Sequence, residues 1–157
     1  MKIKGLITED FVNYKEPSMI IEFPYCTFKC DKECGLKVCQ NSHLAQESNK
    51  DIPIEAIVNL YLQNEITNAI VFQGLEPFDS KKDCYDLISL FREYTTDDII
   101  IYTGYNEDEL TDEIEHLKQY KNIIIKFGRF IPNNKSKYDK ILGVNLASAN
   151  QYAKKIS

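Results

Sequence analysis

Long apolar runs are missing from this chain. No segment approaches the roughly 20 apolar residues that a bilayer-crossing helix requires, and charges interrupt the hydrophobic patches every few positions. A membrane span is not expected. The first residues, Met1-Lys2-Ile3-Lys4-Gly5-Leu6, hold no apolar stretch of the kind that marks a secretory leader. A reducing, cytoplasmic setting is therefore expected, in which cysteines stay as thiols. A basic stripe is missing too. The Lys and Arg residues are scattered and the net charge is -5, which argues against nucleic acid as the main partner, because phosphate rewards clustered cations. No repeat, low-complexity segment or linker-like stretch divides the 157 residues, so one domain, 1–157, is expected.

Cysteine is scarce except in one place. Four of the five fall within fourteen residues, as Cys26, Cys30, Cys34 and Cys39, and only Cys84 lies elsewhere. Soft thiolates select zinc or iron–sulfur clusters over hard cations. With 43% hydrophobic and 27% charged residues, the chain has core enough to fold without a metal staple, so the cysteine cluster is read as functional. Spacing alone permits a four-thiolate zinc site, although zinc pairs are more often split by a longer spacer.

Apolar runs rich in Ile, Val, Phe and Tyr alternate with amphipathic stretches of helix length, the pattern of repeated βα units. Strands are predicted at Ser18–Phe23, Ala69–Gln73, Asp98–Thr103 and Asn122–Phe127, with a weaker one at Ile141–Val144 and an edge strand at Lys2–Leu6. Continuous runs such as Ile99-Ile100-Ile101 suit strands covered on both faces. Helices are predicted at Pro53–Gln63, at Ser80–Tyr94 with Ser80 as N-cap, and at Asn106–Tyr120 with Asn106 as cap. Cys84 falls on the apolar face of the second helix and is read as core. His43 and His116 are read as solvated, and the acidic Glu107-Asp108-Glu109 as a first turn favoured by the helix dipole. The stretch 128–138 is read as a long irregular loop. The fold class expected is α/β with a mainly parallel sheet. In such sheets ligands sit beyond the carboxyl ends of the strands, which is where the cysteine segment, Gly74-Leu75-Glu76-Pro77, Thr103-Gly104-Tyr105 and Gly128-Arg129-Phe130 all fall.

Taken in order, these segments resemble the radical S-adenosylmethionine (SAM) superfamily, most closely the activating enzymes of anaerobic ribonucleoside-triphosphate reductase. Cys26 and Cys30 keep the three-residue gap of that family's cysteine motif. Cys34 and Cys39 compete for the third place, and Cys39 is favoured because Gln40-Asn41 resembles the family's Cys-aromatic-Asn ending. Gly74-Leu75-Glu76-Pro77 is similar to the Gly-Gly-Glu-Pro turn, with Leu75 in place of the second glycine. Tyr102-Thr103-Gly104-Tyr105, Gly128-Arg129-Phe130 and Ser148-Ala149-Asn150-Gln151 are similar to segments of the reductase activators. The resemblance implies a shortened partial (β/α) barrel and a 4Fe-4S cluster on Cys26, Cys30 and Cys39, with SAM on the fourth iron. It also implies SAM contacts at Asn41, Gly74, Glu76, Pro77, Thr103 and Gly104. The implied activity is reductive cleavage of SAM and generation of a glycyl radical on an anaerobic ribonucleotide reductase, fed by a one-electron donor protein. Two other readings stay open: another small radical SAM enzyme acting on a nucleoside or metabolite, and a non-catalytic zinc-binding module.

Overall fold

The computed structural model describes all 157 residues. Its elements run β1 (Lys2–Ile3), β2 (Gly5–Asp10), β3 (Ser18–Phe23), α1 (Lys29–Cys34), α2 (Ser42–Gln46), β4 (Lys50–Asp51), α3 (Ile54–Leu62) and β5 (Ala69–Gly74). There follow α4 (Lys81–Tyr94), β6 (Asp98–Tyr102), α5 (Thr111–Leu117), β7 (Ile123–Phe127), β8 (Lys137–Asp139), β9 (Val144–Leu146) and β10 (Tyr152–Lys155), with short 3-10 turns at Pro77–Ser80 and Glu107–Glu109. Six strands form the central sheet in the order β10-β7-β6-β5-β3-β2. Its four middle strands are parallel, and β2 and β10 close the two edges antiparallel. No helix is long and apolar enough to cross a membrane.

Alternation along each strand divides the core in two. Met19, Ile21 and Phe23 of β3, Ile70 and Phe72 of β5, Ile99 and Ile101 of β6, and Ile123, Ile125 and Phe127 of β7 pack under the helices. There they meet Ile57, Val58 and Tyr61 of α3, Cys84, Leu87, Ile88 and Phe91 of α4, and Leu117 of α5. Each fully buried aliphatic or aromatic side chain contributes about 1.5–3 kcal/mol, so this layer dominates the fold. Residues of opposite parity, Ile20, Val71, Ile100 and Ile124, face a thinner cover made by Tyr14, Leu142 and Leu146. Ile99, Ile100 and Ile101 are all buried, which is why β6 reads as an unbroken apolar run.

Several expectations need correction. The stretch Ile141–Val144 is mainly a turn. Asp139 accepts the Ile141 and Leu142 N–H groups there, and the strand begins only at Val144. The irregular loop 128–138 ends in strand, since β8 starts at Lys137 and pairs with β9. The expected edge strand at Lys2–Leu6 is two strands. β1 pairs with β4 in a small separate sheet, and β2 takes the edge of the main one. Ser80 does not cap α4 with its side chain; the Glu76 carboxylate, accepting from Phe78 N–H, caps the preceding turn instead. The helix expected from Asn106 opens as a 3-10 turn, tied by Asn106 N–H to Glu109 Oε2 at 2.9 Å, and α5 starts at Thr111.

Candidate functional site

Beyond the carboxyl ends of β3, β5, β6 and β7 lies a cleft of about 390 Å³, within the range of small-molecule sites of roughly 300–1,000 Å³. Strand register sets a polar row along its floor. Glu22 pairs with Gln73, and Tyr102 with Lys126. These four share the parity of the thinly covered face, so each strand presents one polar residue to the cleft. All four line it.

The loops after β5 and β6 are tied together by one carboxylate. Glu76 is 4% exposed. Its Oε1 accepts the Thr103 hydroxyl at 2.9 Å and Phe78 N–H at 3.1 Å, and its Oε2 accepts Gly104 N–H at 2.9 Å. Burial pushes its pKa up to about 7 even though all three hydrogen bonds favour the anion. Gly74 precedes it at φ +94, where an added Cβ would meet the Glu22 Cα at 2.8 Å. Only glycine fits that contact and that backbone angle. The free Gly74 carbonyl accepts the Asn41 side-chain amide at 2.6 Å, and Glu76 N–H donates to Tyr25 O at 2.8 Å. Both ends of the cysteine segment are thereby pinned to the turn after β5.

Cys26, Cys30 and Cys39 line the cleft, whereas Cys34, the last residue of α1, does not. Burial raises all three thiols above their ordinary value, Cys26 to about 12. Backbone N–H groups act against this shift: Phe28 N–H lies 3.2 Å from the Cys26 sulfur, and the N–H groups of Phe130 and Asn41 favour the thiolates of Cys30 and Cys39. Backbone N–H groups near the sulfurs suit a site that holds thiolate charge. No three Cys, His, Asp or Glu side chains close on a single point as ligands of one ion would. A cluster that gives each thiolate its own iron needs no such convergence, and the donor set fits it.

The outer wall is held by charge. Arg129 is almost fully buried and makes a bidentate pair with Glu109, at 2.6 and 2.7 Å. Its Nε stands 3.0 Å from Glu33 of α1, at an angle that leaves that nitrogen without a hydrogen bond. Lys29 joins from the other side, 3.0 Å from Glu109 and 4.1 Å from the Tyr105 ring centroid. Planar, doubly bonded arginine suits this bridging place. The segment Ser148-Ala149-Asn150-Gln151 braces the same loop, with Asn150 donating to Arg129 O at 2.8 Å and Gln151 to Gly128 O at 3.2 Å.

Lys126 is the most unusual group in the cleft. It is buried, and its ammonium donates to Gly128 O at 3.1 Å, with no carboxylate within ion-pair distance. Desolvation lowers its pKa to about 8, against the pull of Glu76 and Cys30. A buried cation with no carboxylate at ion-pair distance is costly unless another partner pairs with it.

Of the site residues expected from sequence, Cys26, Cys30, Cys39, Asn41, Gly74, Glu76, Thr103 and Gly104 all border this cleft. Pro77 does not; it is buried in the 3-10 turn. His43 is exposed, and exposed His116 stacks on Tyr85 with ring centroids 4.3 Å apart. Glu22, Gln73 and Lys126 were missed, and Tyr102 was noted only as part of a motif. Their signal was a polar residue near the carboxyl end of an otherwise apolar strand, as in Ile123-Ile124-Ile125-Lys126-Phe127. A family model described as a 4Fe-4S single cluster domain matches residues 19–152. No curated protein and no solved structure gives a significant match.

Proposed function

The chain belongs to the 4Fe-4S single cluster domain family, and from that premise we propose that it is a radical SAM enzyme that generates a glycyl radical on an anaerobic ribonucleotide reductase. Its mostly parallel sheet is then the shortened partial barrel of that superfamily. The observation that carries the reading is convergence. Three cysteines, Asn41, the Gly74–Glu76 turn and the Thr103–Gly104 loop meet in one cleft at the carboxyl ends of four parallel strands.

Cys26, Cys30 and Cys39 would hold the cluster and leave one iron for the amino and carboxylate groups of SAM. When bound, the reduced cluster supplies the electron that cleaves SAM, and a one-electron donor protein replenishes it. The chain's own residues bind and orient. Lys126 offers its ammonium to the SAM carboxylate. Backbone carbonyls of the turn after β5 would accept hydrogen bonds from the SAM amino group. Glu76 acts chiefly by fixing the Thr103–Gly104 loop, because its oxygens already accept three hydrogen bonds. A cleft of about 390 Å³ leaves little room for a second small molecule beside SAM, which favours a protein as radical acceptor.

The test is anaerobic reconstitution with iron and sulfide, followed by electron paramagnetic resonance with SAM, a reductant and a cognate anaerobic reductase. A glycyl radical on the reductase is expected, and it should vanish with Cys26→Ala. SAM cleavage coupled to a small nucleoside, with no radical on the reductase, would replace the activase by another small radical SAM enzyme. A colourless protein that retains zinc alone would defeat both.

A further inference from the structure

The cysteine segment carries eight residues between Cys30 and Cys39, more than a compact three-cysteine loop needs, and the fold disposes of them in a specific way. Helix α1 begins at Lys29 and contains Cys30 and Asp31 in its first turn. It ends at Cys34, and Gly35 in the left-handed conformation, φ +66, turns the chain outward with open space around it. Leu36 stands 68% exposed at the tip. The chain then returns, and both Val38 N–H and Cys39 N–H donate to the same oxygen, Asp31 Oδ1, at 2.8 Å each.

We propose that Asp31 is the positioning residue that closes this excursion and aims the Cys39 sulfur into the cleft. The proposal rests on the reading of Cys39 as third ligand. By gripping the Cys39 backbone, the residue next to Cys30 makes Cys39 its spatial successor, as though residues 32–38 were absent. Cys34, carried to the far end of α1, stays outside the cleft. Two hydrogen bonds of good length from consecutive N–H groups to one oxygen fix the path of such a turn. What Asp31 supplies is one acceptor oxygen at the point where two consecutive N–H groups converge. Asparagine, with a carbonyl oxygen in the same place, should therefore serve.

The experiment compares wild type, Asp31→Asn, Asp31→Ala and Cys39→Ala after anaerobic reconstitution. It follows iron loss to a chelator and the electron paramagnetic resonance of the reduced cluster with and without SAM. Groups that orient metal ligands commonly affect metal affinity by about 10–100-fold. Asp31→Ala should thus lose iron at least tenfold faster and show an altered SAM-induced spectral change, while Asp31→Asn stays near wild type. Thermal unfolding of the variants before iron is added should be unchanged, because the excursion is largely exposed. The proposal is overturned if Asp31→Ala retains iron and spectrum like wild type, or if Asp31→Asn fails as badly as Asp31→Ala. Retention of the cluster in Cys39→Ala would instead remove the ligand reading beneath it.

Discussion

Replacing Glu76 by Gln separates what the buried carboxylate's charge costs from what its geometry contributes. The pKa of Glu76 rises from 4.5 to about 7 through burial. Between those values the folded chain holds a proton that the unfolded chain has released. Stability from this group is therefore fully present below about pH 4.5 and is lost as pH rises through about 7. At about 1.4 kcal/mol per pH unit, the loss amounts to roughly 3 kcal/mol. Glutamine abolishes that slope. Its carbonyl oxygen can keep the Phe78 N–H and Thr103 hydroxyl, but its amide group then faces Gly104 N–H, donor against donor. That mismatch costs roughly 1–3 kcal/mol. The variant should therefore be the weaker protein near pH 5 and equal or overtake wild type near pH 8. Urea unfolding of the protein without iron, followed by far-ultraviolet circular dichroism at four pH values, measures the difference. An unchanged slope between about pH 5 and 7 in the variant would refute the argument that burial outweighs the three hydrogen bonds.

Gly74→Ala forces a Cβ to within 2.8 Å of the Glu22 backbone at a positive φ and should lower the urea-unfolding free energy by about 2 kcal/mol or more. Lys126→Met replaces a buried cation by an apolar chain of similar length. It should leave the melting temperature unchanged or raised while weakening SAM binding by about tenfold or more in equilibrium dialysis; equal affinity would remove Lys126 from the ligand's anchor. For Glu109, whose pKa its bonds to Arg129 hold down at about 2, the stabilising contribution is present above the ordinary carboxylate range and is lost as pH falls toward 2. Glu109→Gln should make the acid limb of the unfolding profile shallower, as acid titration by circular dichroism would record.

The parallel strands were legible because each contains three consecutive apolar residues buried on both faces, and β3 coincides with its prediction residue for residue. The edge strand β10, Tyr-Ala-Lys-Lys, was not, because a strand covered on one side carries little apolar signal and gains its partners only through β7. Ile141–Val144 misled for the opposite reason. Its apolar residues Ile141 and Leu142 suggested a strand, yet Leu142 is buried from within a turn that Asp139 holds. In the site, the loops were legible through their motifs, but the division of labour inside them was not. Glu76 reads as a ligand contact, and nothing in the local pattern showed that it also ties two loops together. Arg129 was one letter of a motif, and its partners Glu109 and Glu33 lie 20 and 96 residues away in sequence, where no local pattern reaches.

The split of the sheet into a dry face and a cleft face has a consequence for how such a protein can diversify. Ile125 and Phe127 pack under the helices and Lys126 between them does not, so adjacent residues answer to unrelated demands. The same holds for Ile21, Glu22 and Phe23 of β3. Change at Glu22, Gln73, Tyr102 or Lys126 alters the cleft's chemistry one strand at a time without repacking the helix layer. A deletion within any of these strands, by contrast, would exchange the two faces at once. Four positions thus form a nearly independent palette for specificity, set on a scaffold that tolerates substitution there and resists insertion or deletion around them.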